Sequence, residues 1–177
     1  MKKYEILDDC IKVEVGDGSF TYIDKEDVCL VEQFPSWQNR KGHISLERHI
    51  YTEYGAIPQR IYLHRAIMIR VFGLSKMKVW QVDHKDRDKS NNRRSNLRLA
   101  TSYQNCANVV KKTRSKTGYR GVCIANRKLK KPYIAYIGGE GTKHRNLGYF
   151  DNPIEAAKAY DCAAINKWGE FAILNFP

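Results

Sequence analysis

No two of the five cysteines (Cys10, Cys29, Cys106, Cys123, Cys162) form a C-x-x-C pair, and their number is odd. That scatter excludes a disulfide framework and a zinc ribbon alike, and a reducing cytoplasm is the expected location rather than a secreted one. The first ten residues, MKKYEILDDC, carry acids where a signal peptide needs an apolar stretch. No apolar run reaches the length of a membrane span, so no membrane partner is expected. The GGEGT stretch at 138–142 has no helix after it and reads as a hairpin turn rather than a phosphate loop. Asp86, Asp88 and Ser90 imitate a calcium loop, but that pattern needs Gly at position 91 and Glu at position 97, where Asn91 and Leu97 stand. No serine or cysteine has the surroundings of a nucleophile.

Acid is also missing from one long segment. Residues 1–80 carry 12 basic and 11 acidic side chains, a net of +1; residues 151–177 carry 2 and 4, a net of −2. Residues 81–150 carry 17 and 4, a net of +13. The surplus behind the formal charge of +12 is therefore confined to one stretch. Solubility does not require such confinement, whereas a polyanionic partner does.

Along the chain, IKVEVGDGSFTYID predicts two short strands around a Gly-Asp-Gly-Ser turn, and Asp24 is placed to cap a helix over 25–34. HISLERHIY, from His43, alternates weakly as a strand does, and Pro58 is expected to break the chain. YLHRAIMIRVFG predicts a buried helix stopped by Gly73. VWQVDH and LRLA predict two strands separated by the wholly polar loop KDRDKSNNRRSN. Thr101 and Gln104 have the spacing of a capping box that opens a helix running to about Val110. After the basic linker KKTRSKT come three predicted strands, GYRGVCIA, PYIAYIG and KHRNLGYF. A helix follows with Pro153 at its first position, Asp151 or Asn152 as cap, and Ala157, Tyr160, Ala164 and Trp168 on one face up to Gly169. The fold class is α+β.

Asp83-His84 ends the first strand of the strand–loop–strand–helix segment. Asn96 follows His84 by twelve positions (96−84 = 12) and Asn105 follows by nine more (105−96 = 9). Asp83 and Asn105 offer the hard oxygen donors that Mg²⁺ or Mn²⁺ prefers. His84 has the proton affinity of a general base near neutral pH. Successive strand residues point to opposite faces, which assigns the metal to one of the pair and the attacking water to the other. His64 is expected to pack or to touch phosphate; His43, His49 and His144 show no ligand spacing.

The segment VDHKDRDKSNNRRSNLRLATSYQNCAN, with LHRAIM before it, closely resembles HNH homing endonucleases of the phage and mobile-intron type. The resemblance implies a ββα-metal core over 61–110 that binds one divalent cation per site through Asp83 and Asn105. His84 activates water, and Asn96 hydrogen-bonds across the loop to hold His84. It also implies cleavage of DNA to 5′-phosphate and 3′-hydroxyl ends. Residues 118–177, with TGYRGV, LGYFDNPIEAAKAYDCAA and GEFAILNFP, resemble the Apetala2-type DNA-binding domain, in which a three-stranded antiparallel sheet lies in the major groove and a helix covers its back. By position, Arg120, Arg127, Tyr136, His144 and Asn146 would face bases, and Lys128, Lys130, Lys131, Lys143 and Arg145 would meet phosphates. Plant members carry arginines on the first strand where this chain has Cys123 and Ala125, which leaves the target sequence open. Residues 111–117 form the linker. Residues 1–60 form a small α/β region that resembles, more weakly, the front of HNH proteins ending in an Apetala2-type domain, with Arg40, Lys41 and Arg48 as candidate DNA contacts.

The expected activity is divalent-metal-dependent hydrolysis of duplex DNA by a monomer with one active site, producing a nick, without a small-molecule cofactor. Two readings compete with it. One is a non-catalytic, sequence-specific DNA-binding regulator with an inert nuclease fold. The other is an RNA-directed protein, which the scarcity of aromatics outside the predicted strands disfavours.

Overall fold

The computed structural model describes residues 4–34, 36–53, 55–109, 115–126, 129–138 and 144–177, with the backbone alone at 50–52 and 56–58. The chain forms two compact units, Met1–Thr101 and Ser102–Pro177.

The first unit opens with an antiparallel meander of β1 (Tyr4–Ile6), β2 (Ile11–Glu14) and β3 (Phe20–Ile23). The period-2 pattern holds: Ile11, Val13, Thr21 and Ile23 are buried, and the residues between them turn outward. A 3₁₀ turn at Lys25–Asp27 leads into α1 (Val28–Gln33). The expected cap at Asp24 does not form. Its carboxylate instead accepts the backbone N–H of Arg94 at 2.6 Å, so a tertiary bond takes the oxygen that a local cap would use.

A second sheet joins β4 (Gln38–Arg40), β5 (His43–Thr52) and β6 (Gly55–Tyr62) in that order. Pro58 does not break the chain. It lies inside β6 opposite His49, and β6 is an edge strand, where a residue without N–H is tolerated. α2 (Leu63–Phe72) follows, closed by the Gly73 N–H on the carbonyl of Ile69 at 2.8 Å. A short α3 (Leu74–Met77), not anticipated from sequence, precedes the hairpin of β7 (Gln81–His84) and β8 (Leu97–Ala100).

One core runs through the whole unit. Ile23, Ile44, Leu63, Ile67 and Met77 are fully buried together, with Val82 and Leu97 against them. Residues before and after position 60 thus share one interior. A buried charge cluster adds a second tie. Asp27, with no solvent exposure, accepts Arg94 Nε at 2.7 Å, Arg94 Nη2 at 2.8 Å and Arg70 Nε at 3.1 Å.

The second unit begins with α4 (Ser102–Ala107), shorter than the expected run to Val110, which lies outside the described residues. β9 (Val122–Ile124), β10 (Tyr133–Ile137) and β11 (Arg145–Phe150) form the anticipated antiparallel sheet in the order β9-β10-β11. α5 (Pro153–Trp168) starts where Asn152 Oδ1 accepts the N–H of Ile154 at 2.8 Å. Ala156, Ala157 and Ala164 are fully buried, so the helix backbone comes close to the sheet. The approach is tightest at Gly121, where a Cβ would lie 2.0 Å from the ring of Tyr160 at a φ of +71°. The expected linker is only partly described: residues 111–114 are outside. Ser115 and Thr117 both donate their hydroxyls to the carbonyl of Val122 and so belong to this unit's packing.

The Asp27 cluster yields a stability test. Removing Arg94 leaves a buried carboxylate short of two donors, whereas neutralising Asp27 releases arginines that reach solvent. Arg94→Ala should cost about 3 kcal/mol in urea denaturation, and Asp27→Asn measurably less.

Candidate active site

Antiparallel register sets the geometry of the β7–β8 hairpin. Asp83 pairs with Arg98 and His84 with Leu97, so the two side chains of the Asp-His pair face opposite sides, as strand geometry requires. Asp83 is buried and accepts Arg98 Nε at 2.9 Å, with Arg98 Nη2 at 2.8 Å from the same oxygen. The arginine holds the carboxylate oriented inside the protein through these two contacts.

His84 is buried on the other face. Its Nε2 lies 3.2 Å from Asn92 Oδ1. Two more imidazoles stand beside it, with ring centroids 5.3 Å away for His64 and 6.3 Å for His43. Tyr62 stacks on His64 at 5.5 Å. Burial is the main cause that lowers the proton affinity of all three. His64 is pushed down to about 3 and His43 to about 4, with Lys89 and the neighbouring imidazoles adding in the same direction. His84 is lowered too, opposed by its bond to Asn92 and by the charges of Asp86, Asp83 and Asp88. A neutral imidazole is the form that accepts a proton.

Asn96 acts differently from expectation. Its side chain accepts the Asp86 N–H at 3.0 Å and donates to Asp86 Oδ1 and to the Asn91 carbonyl, each at 2.8 Å. Its own carbonyl accepts the Lys85 N–H at 2.9 Å. Asn96 therefore closes the loop behind His84, and the carboxamide that meets the imidazole belongs to Asn92. Asp88 accepts the N–H and hydroxyl of Ser90 at 2.9 and 2.6 Å, a turn-forming role. No group of three or more His, Cys, Asp or Glu fit to hold a metal occurs among the described residues. The oriented carboxylate of Asp83 is the kind of oxygen donor that a hard cation prefers. Asn105 lies half-buried in α4, in the second unit.

In the second unit, Ala135 and Ile137 turn towards α5. Tyr136 points to the opposite face of the sheet, opposite Asn146 in register, with its ring 5.1 Å from that of His144. His144, Arg145, Asn146 and Lys130 are exposed. Lys131 is exposed and 3.7 Å from Asp151. Arg120 lies before β9 rather than on the sheet; its Nη2 donates to the Val109 carbonyl at 2.7 Å, and its N–H donates to Asn175 Oδ1, also at 2.7 Å. Arg127, Lys128 and Lys143 lie outside the described residues.

Sequence reasoning missed Asn92, Arg98 and the pairing of His43 and His64 with His84. Arg98 was recoverable: once a hairpin is assumed, a cation opposite an acid is a cross-strand pair. The histidines come from β5 and α2, and no spacing connects them to position 84. Their burial generates a pH test. An imidazole whose folded pKa lies below its unfolded value stabilises nothing by protonation, so the unfolded chain binds the proton first as pH falls. Stability to urea should therefore drop between about pH 6.5 and pH 3, and His64→Leu should flatten that drop.

The HNH endonuclease family profile matches residues 61–107, which span α2, the β7–β8 hairpin and α4. The chain is also 30% identical over 171 residues to an uncharacterized HNH endonuclease of Acanthamoeba polyphaga mimivirus, an alignment covering 90% of this chain and 76% of the relative. HNH nucleases are generally dependent on a divalent metal. The matched segment contains Asp83, His84, Asn92, Asn96 and Arg98, the residues that build the hairpin centre, and the chain belongs to the HNH endonuclease family, whose members are nucleases that act on DNA.

Proposed function

We propose that this protein is a homing-type HNH endonuclease that hydrolyses one phosphodiester of duplex DNA per active site, with His84 as general base. The observation that carries this reading is the buried, hydrogen-bonded imidazole of His84, next in the strand to a carboxylate that Arg98 orients on the opposite face. His84 takes a proton from water as its oxygen attacks phosphorus, and the 3′ oxygen leaves with a proton from solvent. Asp83 and, by the family resemblance, Asn105 are the proposed holders of one Mg²⁺ or Mn²⁺. Such an ion would neutralise charge on the phosphate and on the leaving oxygen. Asn96 keeps the loop closed so that the base cannot drift.

The second unit is proposed as an Apetala2-like module that holds the duplex. Its exposed face with Tyr136, His144 and Asn146 supports base contact, and Lys130, Lys131 and Arg145 support contact with phosphates. Arg127, Lys128 and Lys143 are assigned to the same surface by sequence position, and Arg120 to the support of the module. One active site per chain supports nicking by a monomer.

On supercoiled plasmid with Mg²⁺, His84→Ala should lower the single-turnover rate by roughly 10²-fold or more, while duplex affinity in a mobility-shift assay stays within about twofold. Asp83→Ala should lose activity and its response to added Mg²⁺ or Mn²⁺. Wild-type protein that binds but never cuts with either ion would favour the inert regulator. Binding should weaken steeply with salt. The Lys130→Ala, Lys131→Ala, Arg145→Ala triple variant should flatten the log–log slope by about 0.9 per lost phosphate contact; an unchanged slope would remove these residues from the interface.

A further inference from the structure

We propose that Thr21, acting through Asn92 together with the Lys89 and Ser90 carbonyls, is a positioning residue of the active site: with them it determines which nitrogen of His84 keeps its hydrogen, and so makes Nδ1 the basic atom. The inference rests on the reading of His84 as the base and goes beyond it by tying that base to the N-terminal sheet. Thr21 stands 63 positions before His84 (84−21 = 63).

The directions of the bonds that lead from Thr21 through Asn92 to His84 Nε2 follow from their partners. Thr21 Oγ1 is 2.6 Å from the carbonyl oxygen of Ser90, which can only accept, so the hydroxyl hydrogen is spent there. Thr21 Oγ1 can then only accept from Asn92 Nδ2 at 2.8 Å. The same nitrogen faces the carbonyls of Lys89 at 3.2 Å and Ser90 at 3.4 Å. Rotating the carboxamide by half a turn would set its oxygen against those two carbonyls, with no hydrogen between them. The amide orientation is therefore determined by its partners. Asn92 Oδ1 is left facing His84 Nε2 at 3.2 Å, and an acceptor there requires Nε2–H.

This requirement is independent of the charge state of the ring. In neutral imidazole, Nε2–H leaves the lone pair on Nδ1. When Nδ1 takes the proton of water, a new N–H bond forms at Nδ1 and an O–H bond breaks. Nε2–H remains on Asn92, now as a charge-assisted bond. Thr21 and Asn92 are both completely buried, so solvent does not substitute for either partner. The backbone keeps the two in place. Tyr22 N–H donates to the Ser90 carbonyl at 2.9 Å, and Asn92 N–H donates to the Tyr22 carbonyl at 2.8 Å. A parallel bridge pairs Tyr22 with Asn91. The loop between β7 and β8 thus docks on β3, and the N-terminal sheet enters the catalytic centre through one hydroxyl.

The test compares the full-length wild type with Thr21→Val, which keeps the volume and removes the hydroxyl, and with Thr21→Ser, which restores it. Imidazole ¹⁵N shifts of His84 read the tautomer directly; single-turnover cleavage with Mg²⁺ and duplex affinity are measured on the same samples. The expected results are a single Nε2–H form in the wild type and a mixed tautomer signal in Thr21→Val. The cleavage rate of that variant should fall roughly 10–100-fold at unchanged duplex affinity, and Thr21→Ser should return both signals. A wild-type His84 carrying its hydrogen on Nδ1 overturns the proposal whether or not any variant folds. So does a Thr21→Val rate loss without a tautomer change, or one that serine does not restore. If His84→Ala still cut DNA, the reading of His84 as base would fail while the tautomer result stood, so the two failures are distinguishable.

Discussion

A carboxylate without solvent exposure, that of Asp27, holds the loop of the β7–β8 hairpin through both oxygens of its bond to Arg94. Desolvating such a pair is expensive, and it persists because three arginine nitrogens satisfy the acid. The arrangement specifies more than it stabilises. Arg94 lies two residues before Asn96, and its backbone is held in turn by Asp24. With Arg94 fixed, Asn96 can close the loop on Asp86 and Asn91, and Asn92 can reach both β3 and His84. A polar loop of a dozen residues has no apolar side chain to anchor it, so its shape depends on these charged and amide contacts.

The two faces of the hairpin divide the chemistry. On one, Asp83 is bonded to Arg98. On the other, His84 sits among His43, His64 and Tyr62, where burial keeps the rings neutral. Against the effect of burial, the Asp83 carboxylate acts on the imidazole one residue on and raises the proton affinity of His84. The strand places them on opposite sides and gives each its own surroundings.

The second unit solves a different problem. A three-stranded sheet needs an apolar face or a covering helix to be stable, and α5 covers one face with alanines. Buried Asp161 binds the backbone of Asn175 and Phe176, and Asn175 in turn binds the backbone of Arg120. The tail therefore closes the end of the module where β9 begins. The backbone of Arg120 is thereby tied into the scaffold.

The β-hairpin, its polar loop, the alanine-faced helix and the Asp-His pair were legible because each is a local pattern: alternation, turn chemistry, capping and motif spacing act within a few residues. The Asn152 cap and the register of Asp83 and His84 follow from such rules. What escaped was set by distance in the chain. Asp24 offers a good cap by its neighbours, yet an Arg94 backbone group seventy positions away (94−24 = 70) takes its oxygen. Pro58 looks like a breaker until β6 proves to be an edge. Asn92 and Asn96 are chemically alike, and spacing cannot say which meets the imidazole; the docking of the loop on β3 does. Composition and local pattern thus carry the identity of the candidate groups, while their partners are selected by packing, because a buried hydrogen bond is chosen by whatever donor or acceptor the folded chain brings within about 3 Å.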